Sequence, residues 1–305
     1  MKNGIARSPL FYVGDKYKLI AEIKTHFPAT IGRLIEPFVG GGSVFMNVEA
    51  EGYLLNDIDS YVIKIHKMLC KYAGKDKAFF KKFFALVDKY ELSLSYRENT
   101  VPEDLKKAYP KTYFAKFNKE AYAKMKEDFN RGGKKDMVLL YALLIYGFNR
   151  MLRFNKKGDF NLPVGDVDFN QNTHDALVDY FTLLQQKQVT WSSLDFRRFL
   201  NNIEYQDGDL VYLDPPYLIT FSEYNKLWND QTEQDLLAIL DELNDRGVRF
   251  AISNVTHYRG RVNEAFLEWS ARYNSYPIKS NYISFNDNTV KQFNEVLVTN
   301  FNNGQ

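Results

Sequence analysis

Asp214-Pro215-Pro216-Tyr217 sets an acid and an aromatic at the two ends of a stiff proline pair, directly after the apolar run Leu210-Val211-Tyr212-Leu213. Each proline fixes its own φ and restricts the residue before it, and neither can extend a hydrogen-bonded ladder. The run therefore reads as a buried strand that stops at Asp214. A carboxylate presented there can serve as a general base or as an acceptor that orients an amine, and the aromatic can stack on a flat ring. The plainer alternative is a strand-ending proline turn with an incidental acid.

Further stretches carry chemistry of a related kind. Glu36-Pro37-Phe38-Val39-Gly40-Gly41-Gly42-Ser43 reads as a strand end, a glycine turn and a helix start. Successive glycines let a backbone approach a ligand without Cβ clashes. No Gly-Lys-Ser/Thr follows, so it is not a P-loop, and Phe45 stands where the third glycine of a dinucleotide fingerprint belongs. That pattern suits a nucleoside ligand without a pyrophosphate. Asp57 ends a second apolar run where an acid can bind both hydroxyls of a ribose, while Asp57 or Asp59 also fits a helix N-cap. Asp195-Phe196 closes Val189–Leu194 and suits an adenine ring; a core phenylalanine beside an N-cap acid fits equally well. Near the start, Tyr12-Val13-Gly14-Asp15-Lys16 precedes a helical stretch, so free backbone N–H groups and the Lys16 charge can meet an anion, or simply begin a helix.

The elements that must position these residues alternate between strand and helix, which makes a doubly wound α/β sheet. Later stretches predict helices over 175–184, 233–243 and 266–273, and strands over 248–254, 282–285 and 295–301, with an antiparallel edge. Between the strand units lies a segment of different character. Lys64 to Lys82 holds seven lysines and one acid, and Lys106 to Lys135 ten basic residues against three acids, interleaved with aromatics. Single lysines there suit solvated helix faces, but a basic insert in a chain of net charge +2 suits a polyanion. The domains expected are 1–63 with 186–305, and 64–185. Met137 to Tyr146 predicts a buried helix, and it leads into a hairpin around Asn155-Lys156-Lys157-Gly158-Asp159. Arginine forks and amide groups at Asn149, Arg150, Arg153, Asn155 and Asn161, with Lys156, have the geometry that reads guanine and adenine edges. An ordinary polar hairpin has the same pattern.

Bulk properties narrow the field. At 305 residues with 45% hydrophobic and 26% charged residues, the composition is that of a soluble globular protein. One cysteine, Cys70, excludes an internal disulfide framework, and four scattered histidines make no metal-ligand pattern. No apolar run approaches a membrane span and no signal-peptide core stands at the start, so a cytoplasmic location is expected.

Together these motifs resemble the Dam-like DNA adenine-N6 methyltransferases (D12 class, alpha group), in which the cofactor motif precedes the recognition segment and the catalytic motif follows it. Tyr12 to Lys16 resembles the family's Trp-x-Gly-Gly-Lys, with Tyr12 and Asp15 as departures. Glu36 to Ser43 is similar to its cofactor loop, Asn56-Asp57 to its ribose-binding acid and Asp195-Phe196 to its adenine-side pair. Phe148 to Asn155, with Gly158, Phe160-Asn161 and Pro163, resembles its DNA-contacting hairpin, and Asp214 to Tyr217 its catalytic tetrapeptide. The basic, glycine-containing stretch of many members is missing from Asn286 to Asn294.

The resemblance implies a Rossmann-like catalytic domain with a mainly helical recognition insert, S-adenosylmethionine as cofactor and double-stranded DNA as partner. A monomer without a metal is expected, and a cognate restriction endonuclease as genetic partner, a chromosome-marking role and a phage origin are all open readings. Cofactor contacts are expected from Tyr12, Gly14, Lys16, Glu36, Pro37, Phe38, Gly40, Gly42, Ser43, Asp57, Asp195, Phe196 and Asp214, and catalysis from Asp214, Pro215, Pro216 and Tyr217. Cys70 lies outside every motif, against cytosine-C5 methylation, which needs a thiolate. A zinc deaminase is excluded by the missing His-x-Glu and Pro-Cys-x-x-Cys pattern. The alternatives are an amino-directed enzyme acting on RNA and a DNA-binding module with a decayed cofactor site.

Overall fold

A computed structural model describes residues 4–97, 101–221, 227–279 and 293–302. In chain order its elements are α1 (Ile20–Ile23), β1 (Arg33–Glu36), α2 (Ser43–Asn47), β2 (Gly52–Asn56), α3 (Ser60–Cys70), α4 (Asp76–Tyr90), α5 (Glu103–Ala108), α6 (Tyr113–Arg131) and α7 (Met137–Ile145). Then come α8 (Gln171–Leu184), β3 (Val189–Ser192), α9 (Phe196–Asn201), β4 (Leu210–Leu213), α10 (Asp230–Asp245), β5 (Arg249–Tyr258), β6 (Arg261–Val262), α11 (Glu264–Ser270), β7 (Asn274–Ile278) and β8 (Phe293–Thr299). Among the described residues no helix is long and apolar enough to cross a membrane.

The chain forms two compact units, one of residues 1–15, 40–46 and 59–186, the other of 16–39, 47–58 and 187–305. The second unit holds the whole sheet, ordered β3-β2-β1-β4-β5-β8-β7, with β6 paired to β5. β3, β2, β1, β4 and β5 run parallel, and β8 runs antiparallel to β5 and to β7. All four residues of β4 are buried, as a central strand between two parallel neighbours requires. At the amino ends of β1 and β4, Arg33 pairs in bidentate fashion with Asp209, Nε to Oδ1 at 2.9 Å and Nη2 to Oδ2 at 2.6 Å. The core against α9, α10 and α11 is built from Ile35, Val211, Leu213, Leu236, Leu240, Phe250, Ile252 and Val298.

The sheet departs from expectation at its far edge. β5 continues to Tyr258, four residues beyond 254, and turns into β6 through Arg259 and Gly260, both at positive φ (50° and 76°). Such a two-residue turn usually carries Asn-Gly or Asp-Gly, so Arg-Gly hides it. β7 contains Pro277 and lies at the edge, where a missing N–H removes no needed ladder bond. The strand expected over 282–285, and most of Asn286 to Asn294, lie outside the described residues.

The other unit is helical. α7 is buried at eight of its nine positions, which is why its sequence is apolar all round. Its partners include α3, α4 and α6. Phe79, Phe83, Phe169, Phe181 and Tyr141 interlock edge-to-face or tilted around it, with ring centroids 4.9–5.9 Å apart. Of the aromatics between the lysines, Phe79, Phe80, Phe83, Phe84, Tyr122 and Phe129 are buried, while Tyr109 is exposed.

Candidate active site

Asp214 stands at the carboxyl end of β4, beside β1, where the strand order reverses from β1-β2-β3 to β4-β5. In open α/β sheets this is where ligands bind. Its half-buried carboxylate belongs to a cluster with the buried Lys16 and Glu295 and the half-buried Tyr217. Lys16 Nζ lies 2.8 Å from Asp214 Oδ1, 2.8 Å from the Tyr217 hydroxyl and 3.5 Å from Glu295 Oε1 on β8. The Tyr217 hydroxyl in turn lies 2.9 Å from Asp214 Oδ1 and 3.2 Å from Glu295 Oε1. Burial alone would lower the pKa of the Lys16 ammonium, but Asp214, Tyr217 and Glu295 outweigh it and hold the pKa well above its usual value. Burial, reinforced by Asp214, raises the Tyr217 phenol. Burial also raises Glu295, against the pull of Lys16. Lys16 therefore braces the turn of Asp214 to Tyr217 from within.

The carboxyl ends of β1, β2 and β3 are tied together by Asn56, which is fully buried. Its amide donates to the carbonyls of Pro37 (3.0 Å) and Leu194 (2.9 Å), and its oxygen accepts from Ser192 Oγ and Leu194 N, both at 2.9 Å. All four hydrogen-bonding positions of the side chain are used. Glu36 is buried at the end of β1, and Asp57 follows Asn56 directly. Asp59, not Asp57, caps α3, accepting from Tyr61 N and Val62 N. Asp195 caps α9 through Arg197 N at 2.9 Å, and its other oxygen meets Arg197 Nη1 at 2.9 Å. Phe196 is a core residue, 5% exposed, packed against Phe38 and Trp228 at 5.4 and 5.6 Å between ring centroids.

In the helical unit, the glycine loop is tightly enclosed. A Cβ on Gly41 would fall 2.8 Å from Cβ of Tyr12, and one on Gly42 (φ +84°) 2.3 Å from the Phe45 ring. Phe45 therefore fills the space that a third fingerprint glycine would leave open. Ser8 Oγ donates to the Gly41 carbonyl. His66 bridges the Gly40 carbonyl (Nε2, 2.8 Å) and the Tyr180 hydroxyl (Nδ1, 2.7 Å). A carbonyl only accepts, so Nε2 carries the proton and Nδ1 accepts from Tyr180. Burial lowers the His66 pKa to about 4, which keeps the ring neutral. Gly14, at φ +84°, lies in the turn closed by Asp15 N to the Tyr12 carbonyl.

Residues 12–284 match the family model described as D12 class N6 adenine-specific DNA methyltransferase. The chain belongs to this family. It is 34% identical to the type II methyltransferase M.FokI of Planomicrobium okeanokoites over 99% of its own length and 44% of that relative. The modification methylase StsI of Streptococcus sanguinis is 31% identical over 97% of the chain and 43% of the relative. The DNA adenine methylase of Escherichia coli is 28% identical over 95% and 94%. The chain thus spans under half the length of the first two relatives and nearly all of the third.

In this D12-class chain, the expected DNA-contacting side chains take different positions. Lys156 is exposed at the hairpin tip, and Asn149 is exposed with φ +52°. Asn155 shapes the turn, its oxygen accepting from Lys157 N and Asp159 N, both at 2.9 Å. Arg153 reaches across to Asn161, Nε to Oδ1 at 3.1 Å and Nη2 to the carbonyl at 2.8 Å. The hairpin has isolated bridges at Phe154–Phe160 and Gly147–Val164 and backbone bonds such as Asn155 N to the Asp159 carbonyl (2.8 Å) and Asn161 N to the Arg153 carbonyl (3.0 Å), which the side-chain bonds supplement. Arg150 is drawn inward over the Phe11 ring at 3.9 Å, and burial lowers its pKa to about 10. Sequence reasoning missed Asn56 as a side chain in its own right, His66 and Glu295. For Glu295 a signal exists: an acid opening an otherwise apolar strand, Glu295-Val296-Leu297-Val298.

Proposed function

We propose that this chain transfers a methyl group from S-adenosylmethionine to N6 of an adenine in double-stranded DNA. The observation that carries this reading is Asp214-Pro215-Pro216-Tyr217 at the end of a central strand, its carboxylate held in place by Lys16 and the Tyr217 hydroxyl. The N6 lone pair is delocalised into the purine ring and is a poor nucleophile. Asp214 accepts one N6 hydrogen bond and the Pro215 carbonyl another, drawing the nitrogen toward tetrahedral geometry. Alignment then supplies most of the catalysis. Lys16 and Tyr217 both bind Oδ1, so Oδ2 is the oxygen for N6. The Tyr217 ring stacks on an adenine flipped from the duplex, offsetting part of an unstacking cost of a few kcal/mol.

The residues suit a nucleoside cofactor by their chemistry, since Asp57 directly follows the carboxyl end of β2, where an acid can bind ribose hydroxyls. When bound, it supplies an electrophilic methyl group. Asp57 would hold the ribose hydroxyls, and Asp195, Phe196 and Phe38 the adenine side. Tyr12, Gly14, Glu36, Pro37, Gly40, Gly42 and Ser43 would enclose the rest, and Lys16 would act through Asp214. Residues 64–185 would form the recognition domain, with Asn149, Arg153, Asn155, Lys156 and Asn161 toward DNA and Arg150 supporting them. We place the enzyme in the cytoplasm as a monomer, with a restriction endonuclease as one candidate genetic partner.

Tritium transfer from methyl-labelled S-adenosylmethionine to duplex DNA tests the reading. Label in the adenine fraction is expected; no transfer at saturating DNA overturns it.

A further inference from the structure

Methylation leaves N6 with one proton too many, and Asp214, which the reaction above places against that nitrogen, sits in a cluster with Lys16, Tyr217 and Glu295. The inference rests on that reading and concerns where the proton goes. The Tyr217 hydroxyl is the hub. It accepts from Lys16 Nζ at 2.8 Å and has two carboxylate oxygens in reach, Asp214 Oδ1 at 2.9 Å and Glu295 Oε1 at 3.2 Å. A hydroxyl has one hydrogen to donate, so it serves one carboxylate at a time. We propose that Glu295 takes the proton that methyl transfer releases, with the Tyr217 hydroxyl carrying it from Asp214.

The step balances. The N6 lone pair forms the bond to the methyl carbon while the carbon–sulfur bond breaks and its electron pair stays on sulfur. N6 then carries two hydrogens and a positive charge. Asp214 takes one of these protons and leaves a neutral methylamino group. The protonated carboxyl turns about its Cβ–Cγ bond so that Oδ2 faces Tyr217, which then passes its hydroxyl proton to Glu295 Oε1 and receives the proton from Asp214. The net change is one proton moved from N6 to Glu295, with Asp214 again a carboxylate and Tyr217 again a phenol. Between turnovers the proton returns through Tyr217 to Asp214, whose side chain is 21% exposed, and passes from there to water. Before the relay Tyr217 donates to Glu295; afterwards it donates to Asp214 and accepts from Glu295. Its bond from Lys16 is kept throughout.

The surroundings of Glu295 suit this part. It is 2% exposed, and its Oε2 is buried with no hydrogen-bond partner among the described residues, so its negative charge is poorly compensated. The charged and titratable groups acting on it are Lys16 before α1, Asp214 and Tyr217 after β4, and Tyr212 on β4. Burial and Asp214 raise its proton affinity. Lys16 keeps its own proton and Tyr217 remains a phenol, so neither can store another.

The test follows kcat for N6-methyladenine formation against pH in the full chain with duplex DNA, for wild type, Glu295→Gln, Glu295→Asp and Tyr217→Phe. The wild-type rate should rise with pH as Glu295 deprotonates. Glu295→Gln should lose that limb and fall at least about 10-fold in kcat, at the low end of acid–base contributions, with both KM values within about 2-fold. Tyr217→Phe keeps the ring but breaks the relay, and should show the same loss. Glu295→Asp should recover part of the rate and of the limb. A wild-type pH profile and rate in Glu295→Gln or in Tyr217→Phe overturns the relay while leaving the proposed function intact. Loss confined to KM overturns it as well. Absence of N6-methyladenine with the wild type overturns the proposed function itself.

Discussion

Lys16 sets one buried ammonium against two carboxylates, Asp214 and Glu295. Removing one partner of such a set leaves uncompensated charge and typically costs about 3–5 kcal/mol. Lys16→Met should therefore lower stability by an amount of that order in urea unfolding and abolish methyl transfer. Adding Glu295→Gln to Lys16→Met should restore part of the stability, because one stranded carboxylate is neutralised. Additive losses in the double variant would show that the two residues are not coupled. The place of Asp214 at a strand end was legible because two prolines follow it. The ammonium braced beneath it was not, since Lys16 and Glu295 lie far from it in sequence and only the sheet order unites them.

His66 on α3 holds the glycine loop through the Gly40 carbonyl, and its ring is neutral in the folded state. Its folded pKa, about 4, lies below the unfolded value of about 6.5. The unfolded chain therefore binds the extra proton between these values. Stability is fully present above about 6.5 and is lost as pH falls toward about 4, by on the order of 3 kcal/mol from this residue. Comparing unfolding of wild type and His66→Gln across that window should show a smaller acid loss in the variant; equal slopes would remove His66 from this role. Gly42→Ala should destabilise by more than about 1 kcal/mol, because its φ of +84° and the Phe45 ring both oppose a side chain. Retained stability would contradict the packing described. Strands β1, β2 and β4 were legible because their apolar runs end at glycine, acid or proline. β7 was hidden by Pro277, and the extension of β5 by an Arg-Gly turn. The hairpin around Asn155 to Asp159 was legible as a turn, but not that Arg153 would be spent on Asn161, a pairing local sequence does not encode.

At the scale of the molecule, one unit holds the sheet and the acid cluster, and the other the lysine-rich helices and hairpin. The composition suggested a polyanion partner, while about half of the aromatics it interleaved, among them Phe79, Phe83 and Phe129, are core. If the helical unit reads DNA, phosphate and base contacts should separate. Lys156→Ala should weaken binding alike on all sequences and reduce the magnitude of the salt slope by about 1. Arg153→Ala should instead relax target preference, by freeing Asn161 and loosening the hairpin. An unchanged preference would put the reading surface elsewhere. The central claim is adenine-N6 methylation directed by Asp214. Mass spectrometry of nucleosides from duplex DNA incubated with the protein and S-adenosylmethionine tests it most directly. N6-methyladenine should appear with the wild type and vanish with Asp214→Ala, whose DNA binding should persist; N4-methylcytosine, or N6-methyladenine made by Asp214→Ala, would contradict the account.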